Sequence, residues 1–265
     1  MAPSTPEQPA RRIPSLSAKG RAEGWEDAEG DLAKYRSPWR ARVRWVLQRV
    51  LFRILVRANV TQTVKVARRV RSVRGPFVLV ANHTSHLDAP MLAQGLPWTQ
   101  ARYLSTGVAA DYFFRVWYRR WFVRWMFNAF PIDRDGSRRN SGTSRRLLRA
   151  GVPILVFPEG TRQTTGRMTD FKPGAAALAS GVGVPVVPAA IIGGYEAMPK
   201  GRSWPKKGRP PVGVVFGEPM TAEDGESVAA YMQRIRARVQ DLYDEHYEEI
   251  LGAPNPRAAG DEENA

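Results

Sequence analysis

Three side chains able to move a proton or hold a metal crowd into one short segment, Asn82-His83-Thr84-Ser85-His86-Leu87-Asp88. The chain has 3 histidines, and the last, His246, lies far away. A histidine titrates near neutrality and can take a proton from a hydroxyl. A carboxylate nearby can hold the ring in one tautomer and stabilise the imidazolium that forms. His83 and Asp88 therefore form a candidate base and its orienting partner. By itself the pair is also compatible with a structural or capping role for the aspartate. Metal binding through His83, His86 and Asp88 needs further ligands, and no cluster supplies them. The chain has 0 cysteines, which excludes disulfides, thiolate metal sites and cysteine nucleophiles.

A second group is Phe157-Pro158-Glu159-Gly160-Thr161-Arg162, directly after the apolar run Pro153–Val156. Arg162 can grip a phosphate with two parallel hydrogen bonds. Glu159 can orient that arginine or a bound acceptor, and Gly160 permits close backbone approach. The same residues also fit an ordinary strand-to-loop turn with an ion pair. Phe171-Lys172-Pro173-Gly174 opens a helix whose first amides favour an anion. Arg134, in Ile132-Asp133-Arg134, offers another guanidinium, or a surface salt bridge with Asp133 or Asp135.

The elements that position these groups alternate. Strand patterns cover 77–80, 101–104, 129–132, 153–157, 184–192 and 212–216. Helical patterns cover 37–58, 85–95, 112–127, 140–150, 173–180 and 225–250. Continuous apolar strands separated by helices predict an α/β domain with a mixed, largely buried sheet flanked by helices. His83 then follows a strand and Asp88 opens a helix, at the sheet mouth where α/β sites form. The chain divides into a polar, Pro-rich tail at 1–35, an amphipathic helix at 36–60, the domain at 61–250 and a tail at 251–265. Residues 1–35 contain no apolar leader-like run. The uncharged stretch 173–195 is long enough to span a bilayer, but Gly181, Gly183, Pro185 and Pro188 break it into helix, turn and strand.

The net charge of +15 calls for a polyanionic partner, an anionic membrane surface or nucleic acid. Residues 38–57 are built almost wholly from apolar side chains and arginines. Arg42, Arg49, Arg53 and Arg57 form one stripe, and no acid lies near them in sequence. Such a helix suits a bilayer interface, with arginines at lipid phosphates; a core helix with a solvated arginine face is the alternative. Residues 112–127, YFFRVWYRRWFVRWMF, read as a membrane-facing aromatic belt or a core helix. A nucleic-acid platform can also mix arginines with rings, but no RNA-recognition or zinc-finger signature accompanies them.

Taken together, the blocks resemble the glycerolipid acyltransferase family typified by 1-acylglycerol-3-phosphate acyltransferase. Residues 82–88 look like its His-four-residues-Asp motif, and residues 130–134 like its second, arginine-containing block. Residues 157–162 look like the third block, and residues 184–188 like the proline-bearing fourth. The resemblance covers about residues 60–220. It implies that His83 is a general base oriented by Asp88. It implies that Arg134, Glu159, Gly160, Thr161, Arg162 and Lys172 hold the acceptor, and that Pro188 helps shape a pocket. It implies transfer of an acyl group from acyl-CoA or acyl carrier protein to a lysophospholipid, with no metal and no cofactor. The implied setting is peripheral, on the cytoplasmic face of a membrane. An acyltransferase with another lipid acceptor, a thioesterase, and a basic non-catalytic binder of nucleic acid or membrane are the competing readings.

Overall fold

The computed structural model describes residues 32–109, 125–132 and 138–256. Its strands are β1 (Thr61–Val66), β2 (Val78–Ala81), β3 (Ser105–Ala109), β4 (Phe130–Ile132), β5 (Ile154–Val156), β6 (Val186–Ile192) and β7 (Pro211–Phe216). They form one 7-stranded sheet in the order β1-β7-β6-β2-β5-β3-β4. Every pairing is parallel except β6 with β7, so the sheet is mixed, as the sequence pattern predicts.

Both faces are covered, which is why the central strands lack polar alternation. On one face Leu79, Ala81, Val187, Ala189 and Ile191 pack with Val56, Met91 and Leu92. On the other, Val78, Val80, Ile154 and Val186 pack with Leu147, Ala176 and Ile235, and Ala190, Ile192 and Val215 pack with Val239 and Leu242. The first face belongs to the helical run 38–59 and helix α3 (Asp88–Gly95). The second belongs to α5 (Arg138–Arg149), α6 (Gly174–Val182) and the long α8 (Val228–Leu251). Short helices α4 (Trp98–Ala101) and α7 (Gly194–Ala197) lie in the connections.

The N-terminal run is α1 (Pro38–Trp45), a π-helical segment Val46–Phe52 and α2 (Arg53–Asn59). Proline at its first position suits a helix start. The expected arginine stripe does not form as one surface. Arg42, Arg53 and Arg57 are exposed, but Arg49 turns inward and donates to the carbonyls of Ala93, Gln94 and Leu96. Arg44 is only 1% exposed and donates to the carbonyl of Arg102. The wider π turn alters the phase of the helix, and the cations absent carboxylates are met by backbone oxygens. Burial pushes the Arg44 guanidinium down to about 10, with Arg40 adding to the effect.

Other boundaries move as well. β1 is absent from the sequence reading, because its half-exposed edge sequence TQTVKV carries a weak pattern. Residues 101–104 are not a strand: α4 ends there, and β3 begins at Ser105. The N-terminal tail was expected to extend through residue 35, yet Ala33–Arg36 forms a 3-10 turn and Leu32 is buried. At the other end, Asn255 is buried and donates to Asp244, inside the expected C-terminal tail. Of the aromatic helix expected at 112–127, only residues 125–127 lie among the described residues, and they are helical.

Candidate active site

β2 lies between β5 and β6 and delivers the chain to the site. Directly after it, the buried Asn82 side chain donates to the carbonyl of Ile191 and accepts from its amide at 2.9 and 2.7 Å. The side chain thus continues the β2–β6 ladder beyond its last backbone pair, Ala81 with Ala189. This ends the strand and turns His83 out at the sheet mouth.

Asp88 opens α3, where the helix dipole favours its negative charge. It is 0% exposed. Its Oδ2 accepts from Thr84 N at 2.6 Å, Ser85 N at 2.8 Å and His83 Nδ1 at 2.8 Å. Its Oδ1 accepts the hydroxyls of Thr84 and Ser85 at 3.0 and 2.7 Å. A carboxylate surrounded in this way only accepts, so Nδ1 of His83 donates to it and Nε2 carries the free lone pair. The Phe157 ring stacks on the imidazole with centroids 4.1 Å apart and planes 16° apart, fixing its second angle. The His83 side chain is 23% exposed, so the base is reachable.

The 157–169 loop clasps this turn. The Gln163 amide donates to the His83 carbonyl at 2.9 Å, and the His83 amide donates to Glu159 Oε1 at 2.7 Å. Gln163 Nε2 also donates to Oε1, while the Thr169 amide and hydroxyl donate to Oε2 at 3.0 and 2.9 Å. Glu159, expected to face the acceptor, is therefore 5% exposed and engaged at both oxygens by protein donors. It fastens the histidine turn to the neighbouring loop.

Gly160 has a φ of +76°, and a Cβ there would come within 3.1 Å of Lys172 Nζ. That places the Lys172 ammonium over the turn that carries Thr161 and Arg162. Thr161 and Lys172 are exposed and Arg162 is half-buried. Neither cation has an ion pair among the described residues. Arg162 faces His86: burial, then the charges of Arg162 and His83, lower the His86 pKa, and Asp88 opposes them. Arg134 lies outside the described residues.

Pro188, expected to help shape a pocket, lies within the sheet. It is buried in β6, paired with Val80, and a Cβ at Gly217 would meet its ring at 3.1 Å on the α8 face. The adjoining ladder explains how a central strand tolerates proline. Gly217 N donates to Pro188 O, while Val186 and Met220 exchange both bonds, so three steps of 217–220 oppose two of β6 and the partner segment bulges opposite the proline.

Among the described residues, no group of three His, Cys, Asp or Glu side chains is placed to hold a metal. Sequence reading passed over Asn82, Thr84, Ser85, Gln163 and Thr169 as functional supports. Only the polar run flanking His83 hinted at Thr84 and Ser85; Asn82 acts through Ile191 and Gln163 through His83, both far away in sequence, and Thr169 through Glu159 in its own loop.

A model of the family described as Acyltransferase matches residues 57–192. A chloroplastic 1-acyl-sn-glycerol-3-phosphate acyltransferase of Brassica napus is 34% identical over 131 residues, 48% of this chain and 36% of that protein. A 1-acyl-sn-glycerol-3-phosphate acyltransferase of Chlamydomonas reinhardtii is 32% identical over 127 residues, 48% of this chain and 37% of that one. The matches thus span little more than a third of these relatives. The crystal structure of the 1-acyl-sn-glycerophosphate (LPA) acyltransferase of Thermotoga maritima shares the fold. The TM-score is 0.57 and the identity 22%, covering 86% of this chain and 82% of that one.

Proposed function

The chain belongs to the acyltransferase family, and from that membership and the geometry at His83 we propose that it acylates the free hydroxyl of 1-acylglycerol-3-phosphate, giving phosphatidic acid. The observation that carries the reading is the His83 Nδ1–Asp88 Oδ2 bond of 2.8 Å, on a carboxylate held by four further donors. Such an arrangement leaves Nε2 as an oriented base at the sheet mouth.

In the proposed reaction, Nε2 takes the hydroxyl proton as the acceptor oxygen bonds to the thioester carbonyl carbon. The tetrahedral intermediate collapses with cleavage of the carbon–sulfur bond, and the imidazolium returns the proton to the departing thiolate. Asp88 stabilises the imidazolium between these steps. In the proposal, Arg162 and Lys172 hold the acceptor phosphate, with Thr161 beside them, and the approach of Lys172 Nζ to the Gly160 turn supports it. The donor is acyl-CoA or acyl carrier protein, a co-substrate rather than a resident cofactor.

The reaction is proposed to run at the cytoplasmic face of a membrane. Among the described residues, no helix is long and apolar enough to cross one. Support for a peripheral mode comes from the helical run 38–59, where Trp39, Leu51 and Ile54 are 56%, 57% and 65% exposed beside Arg42, Arg53 and Arg57. An apolar face left open and bordered by arginines matches an interfacial helix. An acceptor screen with labelled acyl-CoA and mass-spectrometric product identification tests the function. Phosphatidic acid from lysophosphatidic acid, abolished in His83→Ala, is the expected result. Acylation of another lipid, or release of free fatty acid alone, would replace the proposed acceptor.

A further inference from the structure

Residues 199–210 form the loop between α7 and β7. Lys200, Arg202, Lys206, Lys207 and Arg209 are all exposed there, and no acid occurs between Glu196 and Glu218. None of these five cations has an ion pair among the described residues. At their centre Trp204 is 53% exposed. An ordinary solvated surface mixes both signs of charge and hides its tryptophans.

The loop is held in place. Lys206 N donates to Ala197 O at 2.8 Å, Arg202 N to Pro199 O at 3.1 Å and Thr61 N to Pro210 O at 3.0 Å. The Trp204 indole donates to Asn59 Oδ1 at 2.9 Å, on the last residue of α2. Its location follows from the topology. β6 runs parallel to β2 and antiparallel to β7, so the β6–β7 connection emerges at the same sheet end as His83. The connection begins against the site: a Cβ at Gly194 would fall 2.1 Å from Thr84 Oγ1.

We propose that this loop is a second membrane-docking surface, taking the anionic headgroups of a phospholipid bilayer and holding the active-site end of the sheet against it. The proposal rests on the membrane reading above and adds a surface to it. Two observations favour a bilayer over a soluble polyanion. Leu55 and Asn59 lie four residues apart on one helix face, and Trp204 continues that row through its bond to Asn59. Leu51, Ile54 and Leu55 are 57%, 65% and 40% exposed. Headgroups and acyl chains together satisfy such a surface, with the indole at the boundary between them; a nucleic acid would leave the apolar part bare.

The full chain has 0 cysteines, so single probes can be placed cleanly. Ser203→Cys and Leu51→Cys, each labelled with an environment-sensitive nitrobenzoxadiazole, are mixed with vesicles of phosphatidylglycerol and phosphatidylcholine. Both probes are expected to brighten and shift to the blue. The triple variant R202Q/K206Q/K207Q should bind these vesicles roughly 30- to 100-fold more weakly at low salt, and pure phosphatidylcholine vesicles as before. Its activity on a short-chain soluble acceptor should not change. If the Leu51 probe enters the bilayer while the Ser203 probe stays in water, the loop proposal falls and the membrane reading stands. If neither enters, both fall. A Ser203 probe that responds to coenzyme A or DNA without vesicles would assign the loop to a soluble polyanion and overturn the proposal.

Discussion

Asp88 and Arg44 are both buried ionic side chains, and they are treated in opposite ways. Asp88 receives five hydrogen bonds from three consecutive residues of one turn, His83, Thr84 and Ser85. Among the described residues, Arg44 reaches one carbonyl, and its buried Nε has no hydrogen-bond partner. A buried charge is costly unless fully satisfied. The contrast shows where the fold satisfies a buried charge in full: at the turn carrying the base, and not at Arg44, although its neighbour Arg49 finds three carbonyls in the same seam.

Breaking the satisfied side should have the largest effect. Asp88→Asn keeps the shape but turns an amide NH2 towards donors and removes the charge facing the imidazole. Turnover is expected to fall by about 10²–10⁴-fold, with roughly 3 kcal/mol lost in chemical denaturation. An unchanged kcat would remove His83 from the chemistry as a base held by this carboxylate.

A middle effect is expected at Glu159→Gln, which faces an amide NH2 against some of the donors that now converge on its two oxygens. Stability should drop by about 2 kcal/mol. Because the His83 turn loses its clasp, kcat should fall while KM for lysophosphatidic acid changes little. A rise in KM with kcat intact would instead put Glu159 on the acceptor, as its sequence context suggests.

The smallest effect belongs to the poorly satisfied partner. Arg44→Met removes a desolvated charge and keeps an apolar stem of similar length. Thermal unfolding should place it within about 1 kcal/mol of the parent, or above it. A loss as large as that of Asp88→Asn would mean that the single Arg102 carbonyl bond and the packing of the stem anchor the helix after all, and the comparison would collapse.

Much of this molecule was legible before folding. Blocks of unbroken apolar residues before polar turns identified β2, β5 and β6, because a strand covered on both faces needs no polar alternation. The pair His83 and Asp88 was legible because a short turn between strand and helix brings residues five apart into contact whatever the rest of the chain does. Glu159 and Arg162 were legible as a polar block, but their roles were not.

Those roles depended on partners distant in sequence. Glu159 meets His83 across 76 residues, and Asn82 meets Ile191 across 109, distances at which local pattern carries no information. Sheet order places Pro188 in a central strand beside a bulge, which its local sequence does not show. The arginines of residues 38–57 read as one outward stripe, since a 3.6-residue period was assumed where a π turn intervenes. The sequence by itself determined which groups can do chemistry and which segments must be buried, because both follow from residue type and short-range spacing. Which groups face substrate, which clasp the turn and which cations are swallowed was decided by the tertiary structure, because buried hydrogen-bonding groups must find partners wherever the fold supplies them.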